Sequence, residues 1–172
     1  IADTETLQFA LVSSQAERIL GYPVKQWIDE PGFWAGHIHP DDKNWAVDLC
    51  TSATRELLPH DFEYRMIAAD GRVVWLHDVV SVVVDNGKPT LHGVMVDVSA
   101  RKLSEEALKE KENIYRKLVE KMPDGVYKST HAGKIVEANP ALVKMLGYDS
   151  REELMAVDIK TDLYFDSGDR ES

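Results

Sequence analysis

The sequence contains little cysteine, few basic residues and no long apolar run. Its single cysteine, Cys50, excludes an intrachain disulfide, a zinc site made of several thiolates and an iron–sulfur cluster, and it suits a reducing compartment. The longest apolar stretch, Val79–Val84, is interrupted by Ser81 and is far shorter than the roughly 20 residues that cross a bilayer. No charged leader precedes an apolar segment. We therefore expect a cytoplasmic chain that makes no membrane contact.

Basic residues are also outnumbered, 20 against 30 acidic ones, and the net charge is −10. A protein that binds nucleic acid needs a basic surface, so this balance argues against such a partner. The sequence lacks a Gly-x-Ser-x-Gly elbow, a phosphate-binding glycine loop and a His-Glu-x-x-His motif, so we expect no catalysis from this chain. Its 44% hydrophobic content is that of an ordinary globular protein and excludes wholesale disorder.

An internal repeat divides the 172 residues. Arg18–Tyr22 returns as Lys144–Tyr148, 126 residues later, and Ser13–Ala16 corresponds to Asn139–Leu142. Such self-similarity indicates a module that occurs twice. The sequence predicts one module over residues 1–99, a helical connector over residues 100–121 and the first half of a second module over residues 122–172.

The first module begins with a predicted strand and several helices. Alternating apolar residues over Leu7–Ser13 predict the strand, and a serine then caps a short helix that Gly21 ends. Short helical turns should follow around Trp27, Phe33 and Trp34. A longer helix should begin at Asp41 or Asp42, after Pro40, and run to about Leu57, with Trp45 and Leu49 on one face.

After Pro59 the apolar period changes from 3.6 to two. Phe62, Tyr64 and Met66 alternate with charged residues, which predicts a strand. Further strands should cover Val73–Val84 and Leu91–Val98, with turns at Asp70-Gly71 and Asn86-Gly87. Antiparallel strands preceded by helices predict an α+β fold with helices on one face of the sheet.

The connector is highly charged and contains no proline or glycine. Its apolar residues form only narrow stripes, one of which contains Leu103, Ile114 and Leu118. A helix with so narrow a stripe is marginal alone, so we expect it to pair with another helix.

Several motifs, in order, resemble those of the PAS family of sensory domains. They are Leu20-Gly21-Tyr22, His39-Pro40-Asp41-Asp42, Glu63-Tyr64-Arg65, Asp70–Trp75 and Gly93–Ser99, the last being similar to the family's closing Gly-x-x-x-Asp-Ile-Thr signature. The likeness covers almost all of residues 1–99, and residues 113–172 resemble the opening half of a second PAS domain. It implies five antiparallel strands with helices on one face, followed by a long connector helix. It also implies the sensory part of a bacterial-type signalling protein, such as a sensor histidine kinase or a diguanylate cyclase, whose catalytic domain would lie outside this chain.

The first strand of the family lies in the middle of its sheet, and here only Ile1–Ala2 could supply it. The second copy has a candidate first strand at Gly125–Ser129 but lacks the three strands that would complete it. An unpaired central edge is a liability. We therefore expect a neighbouring chain, or strand exchange with a second molecule, to fill the place beside Leu91–Val98.

In PAS domains a ligand or cofactor lies between the inner sheet face and the helices. The residues predicted there fit either a packed core or a pocket for a small molecule. Asp78 is unusual because an inward carboxylate needs a partner, and a register shift of one residue would put His77 in its place. The ten candidate pocket residues are Trp34, His37, Trp45, Leu49, Tyr64, Met66, Leu76, Asp78, Leu91 and Met95.

The opposite face of the predicted sheet carries Trp75, His77, Val94 and Val96. An apolar surface of this kind needs cover. The resemblance implies that a flanking helix or a second subunit provides it. We expect a homodimer through this face and through Leu103, Ile114 and Leu118 of the connector.

Flavin and heme are both cofactors of this family, and neither is indicated here. The Gly-Arg-Asn-Cys-Arg-Phe-Leu-Gln motif of light-oxygen-voltage domains is absent, and we expect Cys50 to be a buried, inert thiol. Heme-binding relatives often use a histidine on the long helix, and Asp41–Leu57 has none. His37 and His39 could form a metal pair, but His39 resembles part of the family's helix start, so we expect no metal site. The identity of any cofactor stays open.

The residues after the last strand suggest how a signal could leave the sheet. Ser99 can cap the connector helix, and Asp97 could pair with Arg101 or Lys102. The resemblance implies that this junction, Asp97, Ser99 and Arg101, transmits a change from sheet to helix; a plain helix cap is the alternative. The rival to a ligand-binding sensor is a ligand-free dimerisation module.

Overall fold

The computed structural model describes residues 1–4, 6–85 and 88–157. The chain forms two compact units, Ile1–Glu105 and Glu106–Ser172. The boundary therefore lies inside the helix that was expected to be a separate connector.

The first unit contains one antiparallel sheet in the order β1-β4-β3-β2. Ala2 of the short strand β1 pairs with Leu91 on one side and forms a bridge to Phe9 on the other, so the N-terminal residues lie beside β4. On this side of β4, the residues Gly93–Asp97 have no strand partner among the described residues, although their other side pairs with β3. The expectation that a second chain fills this place stays a prediction. The strands are β1 (Ala2–Asp3), β2 (His60–Ile67), β3 (Val73–Asp85) and β4 (Lys88–Asp97).

The period-two alternation correctly predicts which side chains of β2 and β3 point inward. Tyr64, Met66, Val74 and Leu76 are fully buried, because alternate residues of a strand share a face. Asp78 is also buried, at 4% exposure, so the inward residue is this aspartate and not His77. Gly71, with φ of 83°, closes the predicted turn between β2 and β3. Asn86-Gly87 lies outside the described residues.

Four helices cover the inner sheet face: α1 (Ser14–Leu20), α2 (Val24–Asp29), α3 (Phe33–His37) and α4 (Pro40–Arg55). The predicted caps of α1 are present: the Ser13 hydroxyl accepts from the amide of Gln15, and Gly21 ends the helix with φ of 77°. His39 caps α4, with its Nδ1 accepting from the amide of Asp41. That role agrees with a helix start.

The predicted buried face of α4 is wrong. Trp45 and Leu49 are 42% and 39% exposed, and the buried residues are Asp42, Ala46, Cys50 and Thr54. These four recur every fourth residue, so they do form one stripe. Their small or polar side chains do not look like a core face in sequence.

The predicted strand Leu7–Ser13 is reduced to a single bridge at Phe9. Leu7 has a φ of 54°, which turns the chain sharply, and the amides of Ala10 and Leu11 both donate to the carbonyl of Ile1. Such irregular hydrogen bonding does not continue as a strand ladder, so the segment forms an uneven hairpin against β1.

Helix α5 (Ser99–Lys121) follows β4 directly, and none of its residues is buried. The second unit continues with β5 (Tyr127–Ser129), β6 (Ile135–Ala138), α6 (Pro140–Leu146) and α7 (Arg151–Ala156). The repeat is visible in its caps: Asn139 begins α6 as Ser13 begins α1, and Gly147 ends it in the same left-handed conformation as Gly21. No helix in the described ranges is long and apolar enough to cross a membrane.

Candidate functional site

A cavity of about 560 Å³ lies in the first unit, between the sheet and the N-terminal segment. A volume of this size is typical of small-molecule sites. Its walls come from the inner residues of β3 and β4, from the segment that precedes α1, and from α1 itself. The residues that line it are mostly apolar and include Leu7, Phe9, Leu11, Val12, Ala16, Ile19, Leu20, Trp27, Trp34, Cys50, Leu76, Asp78, Val80, Leu91, Gly93 and Met95.

One buried polar chain ends at this cavity. The indole Nε1 of Trp34 donates to the Tyr64 hydroxyl at 2.7 Å, and that hydroxyl donates to Oδ2 of Asp78 at 3.4 Å. The Tyr64 side chain is fully buried. The second oxygen of Asp78, Oδ1, has no hydrogen-bond partner among the described residues. The carboxyl is thus held on one oxygen and unpaired on the other.

Burial dominates the protonation of these groups. It raises the pKa of Asp78 from its ordinary value of 3.8 to about 7, against the opposing effects of the Tyr64 hydrogen bond, of nearby His77 and of the N-terminal ammonium of Ile1. Burial and the Asp78 charge raise the pKa of Tyr64 well above its usual value. Burial also raises the pKa of Cys50 to about 11, so this thiol is protonated at neutral pH and is a poor nucleophile.

The predicted pocket residues divide into three groups. Trp34, Leu76, Asp78, Leu91 and Met95 line the cavity, as expected. Tyr64 and Met66 are fully buried in the packed core and do not line it. The third group is misplaced, because Trp45 and Leu49 lie on the exposed face of α4 and His37 stacks on Phe33 in α3. The packed core and the cavity therefore both exist, on different parts of the inner sheet face.

The sequence prediction missed much of the cavity wall. Val80 and Gly93 have the same inward parity as Asp78 and Leu91, so extending the alternation would have found them. Cys50 lies four residues after buried Ala46 on α4. Phe9 and Val12 could not have been assigned by periodicity, because their segment is not a regular strand.

The junction between β4 and α5 is tied to the neighbouring strand. Asp97 Oδ1 accepts from the amide of Ser99 at 2.9 Å, and the Ser99 hydroxyl accepts from the amide of Trp75 at 3.0 Å. The amide of Val98 donates to the carbonyl of Trp75 at 2.9 Å. The start of α5 is thus hydrogen-bonded to β3.

The predicted pairing of Asp97 with Arg101 or Lys102 is wrong, because both cations pair with Glu63 on β2. Arg101 Nη2 contacts one oxygen of Glu63, and Lys102 Nζ lies 2.6 Å from the other. The Lys102 ammonium also lies over the Trp75 ring, 4.9 Å from its centre. Asp97 is occupied by its hydrogen bond to Ser99, which leaves the outer-face carboxylate of Glu63 as the partner of the helix.

The outer sheet face is covered at one end only. Arg65 and Lys102 both lie over Trp75, whereas Val94 and Val96 are 63% and 47% exposed. His77, on the same outer face, lies with its Nε2 3.1 Å from Oδ2 of Asp61. On α5 the predicted dimer residues are likewise exposed: Leu103, Ile114 and Leu118.

The second unit has its own buried centre at Asn139, which is 1% exposed. Its Oδ1 accepts from the amides of Val126 and Leu142, and its Nδ2 donates to the carbonyls of Val119 and Asp124. One side chain thus joins the last turn of α5 to the hairpin and to α6.

The first unit thus combines an antiparallel sheet, helices on its inner face, a cavity and a helix that leaves the last strand. Comparison with known families identifies the class of protein that has this arrangement. A family model described as the PAS fold matches residues 9–95, and one described as a PAS domain matches residues 113–172. The chain belongs to the PAS family.

Two solved structures are similar to this chain. The N-terminal domain of a diguanylate cyclase with a PAS/PAC sensor from Marinobacter aquaeolei is 34% identical, with a TM-score of 0.54, over 59% of this chain and 94% of that one. A sensory box histidine kinase/response regulator from Burkholderia thailandensis is 26% identical, with a TM-score of 0.49, over 61% of this chain and 79% of that one.

A curated relative, the uncharacterized protein y4lL of Sinorhizobium fredii, is 31% identical over 97 residues. That match covers 52% of this chain and 11% of the relative, so the chain spans about a tenth of its length.

Proposed function

We propose that this chain is a sensory input module in which a small molecule in the cavity alters the junction between β4 and α5. The observation that carries the proposal is the position of β4. Leu91, Gly93 and Met95 line the cavity, and the same strand ends at Asp97, two residues before α5 begins. A ligand that displaces β4 therefore acts within a few residues of the helix start.

The route out of the sheet passes through Glu63. Its carboxylate holds both Arg101 and Lys102, while Ser99 bonds to the backbone of Trp75. A shift of β4 relative to β2 changes these distances together, and a ligand that favours one arrangement shifts the population towards it. The similar domain of known structure belongs to a diguanylate cyclase with a PAS/PAC sensor, so we assign this chain a regulatory role in a signalling protein of that kind.

Two experiments test this proposal. The first identifies what the purified protein carries, by UV–visible spectroscopy and by mass spectrometry of the molecules that denaturation releases. The second measures hydrogen exchange at residues 98–105 with and without the compound found. We expect exchange there to change on binding in the wild type.

The variant Glu63→Gln should keep the affinity for that compound and lose most of the exchange response. Glu105→Gln is the matched control, because Glu105 pairs with Arg101 within the helix and does not reach the sheet. A wild-type protein that binds the compound with no change at residues 98–105 would contradict the proposed transmission. So would an equal loss in both variants.

The exposed outer face supports a second proposal, a homodimer. Val79, Val94 and Val96 form an apolar surface on neighbouring strands, and α5 adds its own exposed stripe. A dimer would cover both at once. Val96→Lys should convert a dimer to a monomer in analytical ultracentrifugation, whereas Val136→Lys, which changes an exposed valine on β6, should not. A wild type that sediments as a monomer at micromolar concentration refutes this proposal.

A further inference from the structure

Asp78 is a buried carboxylic acid in the wall of a mostly apolar cavity. It is 4% exposed and lies on the inner face of β3, between Leu76 and Val80, which are also buried. Burying a polar group without a hydrogen bond costs free energy, so each oxygen of this side chain requires a partner. Tyr64 supplies a donor for Oδ2 only.

The second oxygen, Oδ1, is itself buried and lies next to Gly93 of the neighbouring strand. Gly93 on the neighbouring strand lines the cavity, and a Cβ atom at that residue would lie 3.3 Å from Oδ1. That separation is tighter than most Cβ contacts, so any larger residue there would crowd the carboxyl. The absence of a side chain at Gly93, a residue of the cavity wall, avoids this crowding beside Oδ1.

The cavity wall contains a second buried polar atom without a hydrogen-bond partner among the described residues, Nε1 of Trp27. Trp27 is 1% exposed and lines the cavity. Both unpaired atoms, an acceptor and a donor, thus belong to side chains of one cavity. The remaining wall is mostly apolar, with residues such as Phe9, Leu76 and Leu91.

We propose that the cavity binds a mostly apolar small molecule that carries a hydrogen-bond donor, and that Oδ1 of Asp78 accepts this donor. An amine is the strongest such donor, because a charge-assisted hydrogen bond forms when the carboxyl is ionised. The inference rests on the proposed function, since it specifies the ligand class of the same site. In this proposal Asp78 discriminates between ligands of similar shape, whereas the apolar wall provides the general affinity.

Three probes with the same ring and the same chain length test this assignment. They are 2-phenylethylamine, 2-phenylethanol and propylbenzene, which end in an ammonium, a hydroxyl and a methyl group. Their affinities are measured by calorimetry at pH 8, with the whole chain, for the wild type and for Asp78→Leu. The leucine keeps approximate volume and removes a buried carboxyl that has a partner on one oxygen only, so the fold should persist. Its far-UV circular dichroism is checked first.

The quantity compared is the affinity for the amine relative to that for propylbenzene, which cancels general changes in the cavity. We expect this ratio to fall at least about tenfold in Asp78→Leu, because a hydrogen bond to a charged group is worth at least that factor. The alcohol should show a smaller fall. Ile19→Leu, a change in the part of the cavity wall that α1 supplies, should leave the ratio within about twofold.

The outcomes separate this inference from the function on which it rests. If all three probes bind and the ratio is unchanged in Asp78→Leu, the ligand class is wrong and the cavity remains a candidate input site. If no probe binds at millimolar concentration, the inference is overturned. The proposed function is then decided independently by the hydrogen-exchange experiment at residues 98–105.

Discussion

Replacing Asp78 by asparagine should change how stability depends on pH. The folded chain holds the Asp78 proton more tightly than the unfolded chain, because burial raises the pKa of this carboxyl to about 7. Unfolding therefore releases a proton between about pH 4 and pH 7, and the free energy of unfolding falls as the pH rises through that window. The contribution of Asp78 to stability is complete below pH 4 and lost above pH 7. Asparagine has no such proton.

The size of the effect follows from the two pKa values. The ordinary value is 3.8 and the folded value is about 7, and each pKa unit corresponds to about 1.4 kcal/mol. The difference is about 4 kcal/mol over the whole window. At pH 8 the Asp78→Asn protein should therefore be the more stable one. Its advantage over the wild type should grow by about 1.4 kcal/mol for each pH unit between pH 5 and pH 7.

Urea unfolding followed by tryptophan fluorescence is a suitable assay. The four tryptophans of the chain, at positions 27, 34, 45 and 75, all lie in the Ile1–Glu105 unit, so the signal reports that unit alone. Asp48→Asn, which changes an exposed aspartate of α4, is the control. If the curves of Asp78→Asn and the wild type against pH are parallel between pH 5 and pH 8, then Asp78 is not held protonated by burial and the reasoning fails.

Three further substitutions test other parts of the structure. Asp42→Ala removes the carboxylate that accepts three hydrogen bonds from Arg65. It should lower the unfolding free energy of the first unit by about 2 kcal/mol at pH 7, which is less than for a fully buried pair because the Arg65 side chain is 26% exposed. Urea unfolding followed by tryptophan fluorescence measures this loss. Gly21→Ala places a side chain on a residue with φ of 77°, and its Cβ would lie 3.3 Å from the Cβ of Ala69. We expect the free energy of unfolding to fall by about 1–2 kcal/mol in the same assay. An unchanged unfolding midpoint would contradict the expected backbone strain. Asn139→Ala breaks four hydrogen bonds of the second unit. The amides of Val126 and Leu142, which donate to Asn139, should exchange their hydrogens at least tenfold faster. The unfolding transition reported by tryptophan fluorescence should stay the same.

The inner sheet face could be predicted because it depends on one simple rule. Alternation along β2 and β3 places Tyr64, Leu76 and Asp78 inward, and the structure agrees. The caps of α1 were equally predictable, since Ser13 and Gly21 act through local backbone geometry. Signals of this kind need no knowledge of distant partners.

The face of α4 could not be read in the same way. Its buried stripe contains Asp42, which hydropathy marks as a surface residue, and its burial depends on Arg65, 23 positions along the chain. Small Ala46 and Cys50 lie against the sheet, where larger Trp45 and Leu49 would have seemed the better core residues. A buried ion pair and a close helix–sheet contact are tertiary effects, and periodicity alone does not contain them.

The partner of Arg101 shows the same limit at the junction. Asp97 was the nearer carboxylate in sequence, but it is occupied by the amide of Ser99, and Glu63 lies opposite on the outer face. The register of β2 against β3, which pairs Glu63 with His77, decides this arrangement. Alternation along β2 puts Glu63 on the outer face, next to inward Tyr64, so the correct partner could have been proposed from the strand pattern.

Helix α5 has 23 residues and buries none of them, and this has a consequence for insertions and deletions. Its length is about 35 Å at a rise of 1.5 Å per residue. One inserted residue advances the angular phase of everything after it by about 100°, whereas seven residues restore the phase to within about 20°. Exchange of exposed side chains leaves that phase untouched. Apart from Ser99, Arg101 and Lys102, which bond to the sheet, the residues of α5 are therefore freer to change in identity than in number.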